Sequence, residues 1–276
     1  MGTPRTPIPA VIALVMAGAL ALAGCTGGQA SAPAPGSAGT TPATPSTQAA
    51  PDSTAARPTA AAPLVVLDPG HNGGNAAHPA VIGRLVPDGR GGTKPCNTTG
   101  TATDGGYPEH AFTFDVALRT ERALEAAGVR VELTRPNDTG IGPCVDVRGG
   151  AGKRADAAAV VSIHADGAAA SGSGFHVALS DPPLNPVQAG QAHALGTALR
   201  DALRAAGFHD STYLGHQGIS LRPDLAGLNL ATRPAALVEC ANMRNPAEAG
   251  VVSSAGGRQR YAAALAAGIL GYLQRP

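Results

Sequence analysis

Two histidines and two glutamates in this 276-residue chain sit where hydrolytic chemistry would need them. His71 closes the run Val65-Val-Leu-Asp-Pro-Gly-His71. His164 closes Val160-Val-Ser-Ile-His164, and Glu239 closes Ala235-Ala-Leu-Val-Glu239. Each run is short and apolar and reads as a buried strand. Ligand sites in open α/β sheets form beyond the carboxyl ends of strands. Glu109 instead opens a helical pattern. A carboxylate suits that first turn, where the dipole and unpaired N–H groups face it.

Two histidines, one carboxylate and an open position make a catalytic zinc set. Zinc lowers the pKa of its bound water and polarises a carbonyl. A second carboxylate, outside the ligand set, can take the water's proton and return it to a leaving amine. This division gives His71, Glu109 and His164 as ligands and Glu239 as the acid/base. Taken singly, a histidine at a strand end is more often structural, and a glutamate at a helix start is more often a cap. The ligands are scattered, with no H-E-x-x-H.

The elements that must position these groups alternate. Residues 64–67 form a strand ended by Asp-Pro-Gly. Residues 110–127 carry Phe114, Ala117, Leu118, Glu121 and Leu124 at helical spacing, and Gly128 stops them. Further strands are expected at 129–133, 160–164, 174–179 and 235–239, with helices at 146–159, 186–206 and 257–274. The last carries Tyr261, Leu265, Ile269 and Tyr272 on one stripe. Strands alternating with amphipathic helices indicate a single α/β domain, residues 64–276, with its sheet covered on both faces.

The first 63 residues differ in kind. Arg5 precedes an uncharged apolar run over residues 10–23, then Leu22-Ala-Gly-Cys25. This pattern describes an export signal, residues 1–25. The run is short of the roughly 20 apolar residues of a membrane span. The Cys resembles that of a bacterial lipobox, which implies cleavage before Cys25 and a lipid on its sulfur. Residues 26–63 are Ala, Pro, Thr, Ser and Gly with few large apolar side chains, the composition of a disordered, extended tether. Lys and Arg total 20 against 19 Asp and Glu, so nucleic acid is not a suggested partner.

Cys96 and Cys144 lie in polar Gly/Pro-rich segments, and in an exported chain they are expected to pair. Closing that loop is worth about 3–4 kcal/mol in the chain-entropy model. Zinc ligation by cysteine competes as an idea but finds no C-x-x-C pair. Cys240 follows an apolar strand and reads as a buried thiol.

Read together, these segments resemble the zinc-dependent N-acetylmuramoyl-L-alanine amidases of bacterial cell walls, the amidase-3 type, and especially single-domain actinobacterial members. Val65-Val-Leu-Asp-Pro-Gly-His71-Asn-Gly-Gly is similar to that family's first ligand motif. Glu109 at its helix start matches the second, and Val161-Ser-Ile-His164-Ala-Asp-Gly the third. Arg222-Pro-Asp-Leu-Ala-Gly-Leu228 resembles its Arg/Leu stretch. Ala236-Leu-Val-Glu239-Cys-Ala-Asn-Met-Arg-Asn245 matches the catalytic-Glu motif. The resemblance covers nearly all of residues 64–276. It implies a mixed, mostly parallel sheet of about six strands and hydrolysis of the amide between N-acetylmuramic acid and L-alanine in peptidoglycan or muropeptides. It also implies a Zn2+ cofactor and action outside the cytoplasmic membrane, facing the wall, where a Cys25 lipid would anchor a monomeric enzyme.

There are departures. The gap from His71 to Glu109 is long and contains Cys96. Some actinobacterial members carry such an insertion, and a Cys96–Cys144 bridge would fit it. His110 neighbours Glu109 and competes for the ligand position. Cys240-Ala241 replaces the more common Thr-Gly. His78, His176, His193, His209 and His216 match no ligand position and are expected at the surface or in structural roles. Residues 167–174 leave no room for a helix that would block the site, so activity without an activator is expected. Alternatives are an exported zinc peptidase or deacetylase, a non-enzymatic wall-binding lipoprotein, or a Cys240 nucleophile.

Overall fold

The computed structural model describes residues 61–274. The expected signal with Cys25 and nearly all of the tether lie outside the described residues. In chain order the strands are β1 (Leu64–Pro69), β2 (Leu85–Pro87), β3 (Thr93–Pro95), β4 (Arg130–Leu133), β5 (Ala159–Asp166), β6 (His176–Ser180), β7 (Ile219–Arg222) and β8 (Ala235–Asn242). The helices are α1 (Pro79–Ile82), α2 (Glu109–Ala126), α3 (Val145–Gly149), α4 (Ala151–Arg154), α5 (Pro186–Ala189), α6 (Gln191–Ala205), α7 (Ala226–Asn229), α8 (Pro246–Ser253) and α9 (Ala255–Leu273).

Six strands form one sheet in the order β4-β1-β5-β8-β6-β7, and β2 and β3 form a separate hairpin. The pairs β1–β4, β1–β5, β5–β8 and β6–β7 are parallel, and β6 runs antiparallel to β8. The domain is therefore a mixed, mostly parallel α/β fold. The central strands β1, β5 and β8 are apolar almost throughout because both of their faces are covered. One face packs on α2, α6 and α9. Its core includes Val65, Leu67, Val161, Ile163, Val238, Phe112, Val116, Leu199, Tyr261 and Leu265, all essentially fully buried. Helix α9 is rich in Ala and Gly and lies close to α6, where a Cβ on Gly268 would stand 2.9 Å from Leu199 Cα.

The opposite face carries Val66, Val160, Ala178, Ala235 and Leu237 under the short helices α4 and α7. The stretch expected as one helix, 146–159, is two short helices on either side of Gly150, followed by β5 from Ala159. Gly149 and Gly152 are both buried there. A Cβ on Gly152 would stand 2.5 Å from Val160 Cγ2. Glycine thus serves close packing while it weakens the helix. The helix expected over 186–206 also divides at a glycine, Gly190, which leaves the helical region at φ −121° and ψ −79°.

Among the described residues no helix is long and apolar enough to cross a membrane. The start of the domain is tied down, since Pro63 O accepts the Arg130 N–H and Ala62 O accepts Arg130 Nε at 3.0 Å.

Candidate metal centre

β1 ends at Pro69 and the chain turns at Gly70-His71. His71 has φ 57°, a left-handed conformation that an L-residue adopts only when its surroundings hold it there. Two buried arginines do so. Arg148 donates to Pro69 O at 2.7 Å and to His71 O at 2.8 Å. Arg135 donates to Pro69 O at 3.0 Å and to Gly70 O at 3.3 Å. Arg148 is balanced by the buried Asp68, whose carboxylate also accepts from Thr134 and Ser162. Burial alone would raise the Asp68 carboxyl, but Arg148 and the two hydroxyls outweigh it and hold it low.

The His71 ring has its Nδ1 3.1 Å from Thr98 O. Donation to that carbonyl leaves the Nε2 lone pair facing inward, as metal ligation requires. His71 Nε2 lies 3.1 Å from Glu109 Oε2, and His164 Nδ1 lies 3.0 Å from Glu109 Oε1. The two rings meet edge to face with centroids 4.9 Å apart. Gly70 makes this possible, because a Cβ there would stand 2.2 Å from His164 Cε1.

Glu109 is 4 % exposed. Its Oε2 accepts the Thr101 N–H at 2.9 Å and its Oε1 the Ala165 N–H at 3.2 Å. Burial pushes its carboxyl up, but His71 and then His164 pull it well below the carboxylate range. Burial also opposes a charge on His71, yet Glu109 raises it overall, whereas His164 is lowered by burial. His110 turns away and pairs with Asp138 at 2.7 Å.

Donor atoms of His71, Glu109 and His164 all lie within 4.8 Å of one another. Tetrahedral zinc with bonds of about 2.0–2.1 Å needs donors roughly 3.3 Å apart. The observed N···O separations of 3.0 and 3.1 Å are close to that. An ionised carboxylate facing two imidazole nitrogens is a donor set that a cation satisfies, so the residues fit the metal.

These three and Glu239 line one cavity of about 520 Å³. Glu239 is the register partner of His164 across β5–β8. Its Oε2 is buried with no hydrogen-bond partner among the described residues. Burial, with the charges of Glu109 and Asp166, pushes its carboxyl up. Cys240, next along β8, is buried and its thiol is raised by burial and the neighbouring carboxylates, which disfavours a thiolate nucleophile.

Cys96 and Cys144 form a disulfide. It pins the loop that carries Thr98 and Thr101 to the start of α3. The β2–β3 hairpin crosses the cavity rim, where Arg90 bonds Pro223 O at 2.9 Å and Pro182 O at 2.7 Å, and Lys94 bonds Asp224 O at 2.6 Å. Arg148, Arg135 and this hairpin escaped sequence reasoning. The arginines carry no local signal, and three-residue strands ending in proline show no alternation to read.

Two histidines at or just past the carboxyl ends of parallel strands, a carboxylate at a helix start, and a second carboxylate left over define a hydrolase centre on an open α/β sheet. A family model described as N-acetylmuramoyl-L-alanine amidase, amidase-3, matches residues 65–271, and the chain belongs to that family. It is 51% identical over 222 residues to N-acetylmuramoyl-L-alanine amidase Rv3717 of Mycobacterium tuberculosis, covering 80% of this chain and 91% of that protein. The crystal structure of the N-acetylmuramyl-L-alanine amidase Ami1 from Mycobacterium smegmatis superposes with a TM-score of 0.75 at 52% identity, covering 77% of this chain and 97% of the other. The apo form of Ami1 from Mycobacterium abscessus gives a TM-score of 0.75 at 50% identity, covering 78% and 100%.

Proposed function

We propose that this amidase hydrolyses the amide between N-acetylmuramic acid and L-alanine of peptidoglycan or muropeptides with zinc held by His71, Glu109 and His164. The observation that carries the reading is the meeting of those three donors in one cavity wall with Glu239 beside them. When bound, zinc supplies a Lewis acid and a water of lowered pKa. Glu239 accepts a proton from the attacking water and hands it to the departing alanine amine. Burial and the nearby Glu109 raise its carboxyl, which favours its holding the proton between the two transfers. The mouth of the cavity, bounded by the hairpin and by the Thr98–Thr101 loop, orients the substrate against that pair.

The same reading assigns residues 1–25 to an export signal, Cys25 to lipidation and residues 26–63 to a tether. The enzyme then works as a monomer on the outer face of the cytoplasmic membrane, against the wall. Membership of a cell-wall amidase family supports extracytoplasmic action.

Zinc content and turnover test the assignment together. Glu239→Gln should bind zinc at wild-type stoichiometry and lose at least about 1,000-fold in turnover. Loss of zinc along with activity would make Glu239 a ligand instead. His71→Ala and His164→Ala should each lose the metal, and near-normal zinc content in either would remove it from the ligand set.

A further inference from the structure

Beside the cavity, three buried polar groups stand without a close hydrogen-bond partner among the described residues. Neither ring nitrogen of His176 on β6 has one, nor does the Tyr213 hydroxyl, nor Glu239 Oε2. Buried polar groups are almost always hydrogen-bonded, so each such orphan asks for an explanation.

The three belong to one patch. His176 is the direct antiparallel partner of Glu239, and Ala178 is that of Leu237. Ala178 and Leu237 lie in the same apolar cluster. His176 and Glu239 are each two residues along from that pair, so they share its face. Side chains directly opposed in this way have Cβ atoms roughly 4.5–5.5 Å apart. Tyr213 stands edge-on to the His176 ring, with centroids 6.1 Å apart at 85°. Burial and then the carboxylates of Asp166 and Glu239 push its hydroxyl up, and Asp166 is within hydrogen-bonding reach of it. His176 has no exposed surface and does not line the cavity. It stands behind Glu239 and cannot touch substrate.

Counting donors and acceptors narrows the arrangement. Burial pushes His176 down to about 4, with Asp166 opposing and Arg222 assisting, so at neutral pH the ring is uncharged. A neutral imidazole has one N–H donor and one acceptor nitrogen. An ionised carboxylate only accepts. An ionised Glu239 is satisfied when one ring nitrogen of His176 donates toward its Oε2. Among the described residues no group stands within direct hydrogen-bond distance of either ring nitrogen, so the bond to Glu239 runs through one water. A charge-assisted bond of this kind is stronger and more directional than a neutral one.

We propose that His176 is a positioning residue for Glu239: its ring N–H, through one water, holds the inner carboxylate oxygen, and the outer oxygen is left to exchange the proton. The proposal rests on the proton-transfer role of Glu239 given above. Proton transfer needs heavy atoms within about 2.6–3.2 Å. A Glu239 free to change rotamer would spend part of its time out of reach.

The test uses the zinc-loaded enzyme with His176→Leu, His176→Gln and His176→Asn, each also in the Glu239→Gln background, with a defined muropeptide as substrate. His176→Leu should lower kcat about 10- to 100-fold, the range for losing a hydrogen bond to a charged group, with KM and zinc content unchanged. One of the two amides, Gln or Asn according to which ring nitrogen makes the bond, should restore most of the rate. In the Glu239→Gln background, His176→Leu should cost nothing further. An unchanged kcat in His176→Leu, or an equal loss in both backgrounds, overturns the proposal.

A second readout needs no His176 variant. Glu239→Gln should move the ring N–H resonance of His176 in a nitrogen-correlated NMR spectrum, and an unmoved resonance is also contrary. If Glu239→Gln keeps full turnover while that resonance moves, the proton-transfer reading fails and the contact stands.

Discussion

Four contacts converge on the Glu109 carboxylate: two imidazole nitrogens and the N–H groups of Thr101 and Ala165. Its place in the sequence hinted at a helix-start carboxylate, but a plain cap would read the same way. His71, His164 and Glu239 were legible because each ends an apolar strand. What was not legible is His176. A histidine between apolar residues on β6 looks structural, and only the strand order brings it opposite Glu239. It leaves a thermodynamic signature. Burial pushes its folded-state value down to about 4 from an ordinary 6.5. Between those pH values the unfolded chain takes up a proton that the folded one refuses. The corresponding stability is complete above pH 6.5 and is lost as pH falls toward 4, by up to roughly 3 kcal/mol. Denaturant unfolding from pH 7 to pH 4 should therefore fall more steeply for the wild type than for His176→Leu. Parallel curves would contradict this.

At the scale of the element, the site depends on the turn after β1. Asp-Pro-Gly-His in the sequence announces a turn, but the left-handed His71 and the two arginines clamping it come from 64 and 77 residues away. No local pattern could show them. Arg148→Met would leave Asp68 as a buried, unpaired charge and should cost about 3–5 kcal/mol of stability. A loss under 1 kcal/mol in chemical denaturation would mean that water reaches Asp68. Gly70→Ala should act on the metal site instead, since its Cβ meets the His164 ring at 2.2 Å. Zinc affinity measured by chelator competition should fall about 10- to 100-fold, the range for disturbing groups that orient ligands. Unchanged affinity would show that the ring has room to move.

At the scale of the whole molecule, the α/β class and the order of the major elements could be read from alternating strand and helix patterns, because periodicity reports burial. The helix breaks at Gly150 and Gly190 and the β2–β3 hairpin could not, because they answer to tertiary packing. The Cys96–Cys144 bridge closes a 48-residue separation. Removing it with Cys96→Ser should cost about 4 kcal/mol in the chain-entropy model and loosen the loop behind His71 and Glu109. Thermal unfolding with and without reductant measures the first effect. Among the described residues, 167–175 form no helix between β5 and β6. The purified enzyme should therefore work without a partner protein.

The most direct test is digestion of a defined muropeptide by the purified, zinc-loaded enzyme, with and without a chelator, read by mass spectrometry. Zinc amidase action should give free stem peptide beginning at L-alanine and intact glycan, abolished by chelation and restored by zinc. Cleavage within the peptide, loss of acetate, or turnover indifferent to chelation would contradict it.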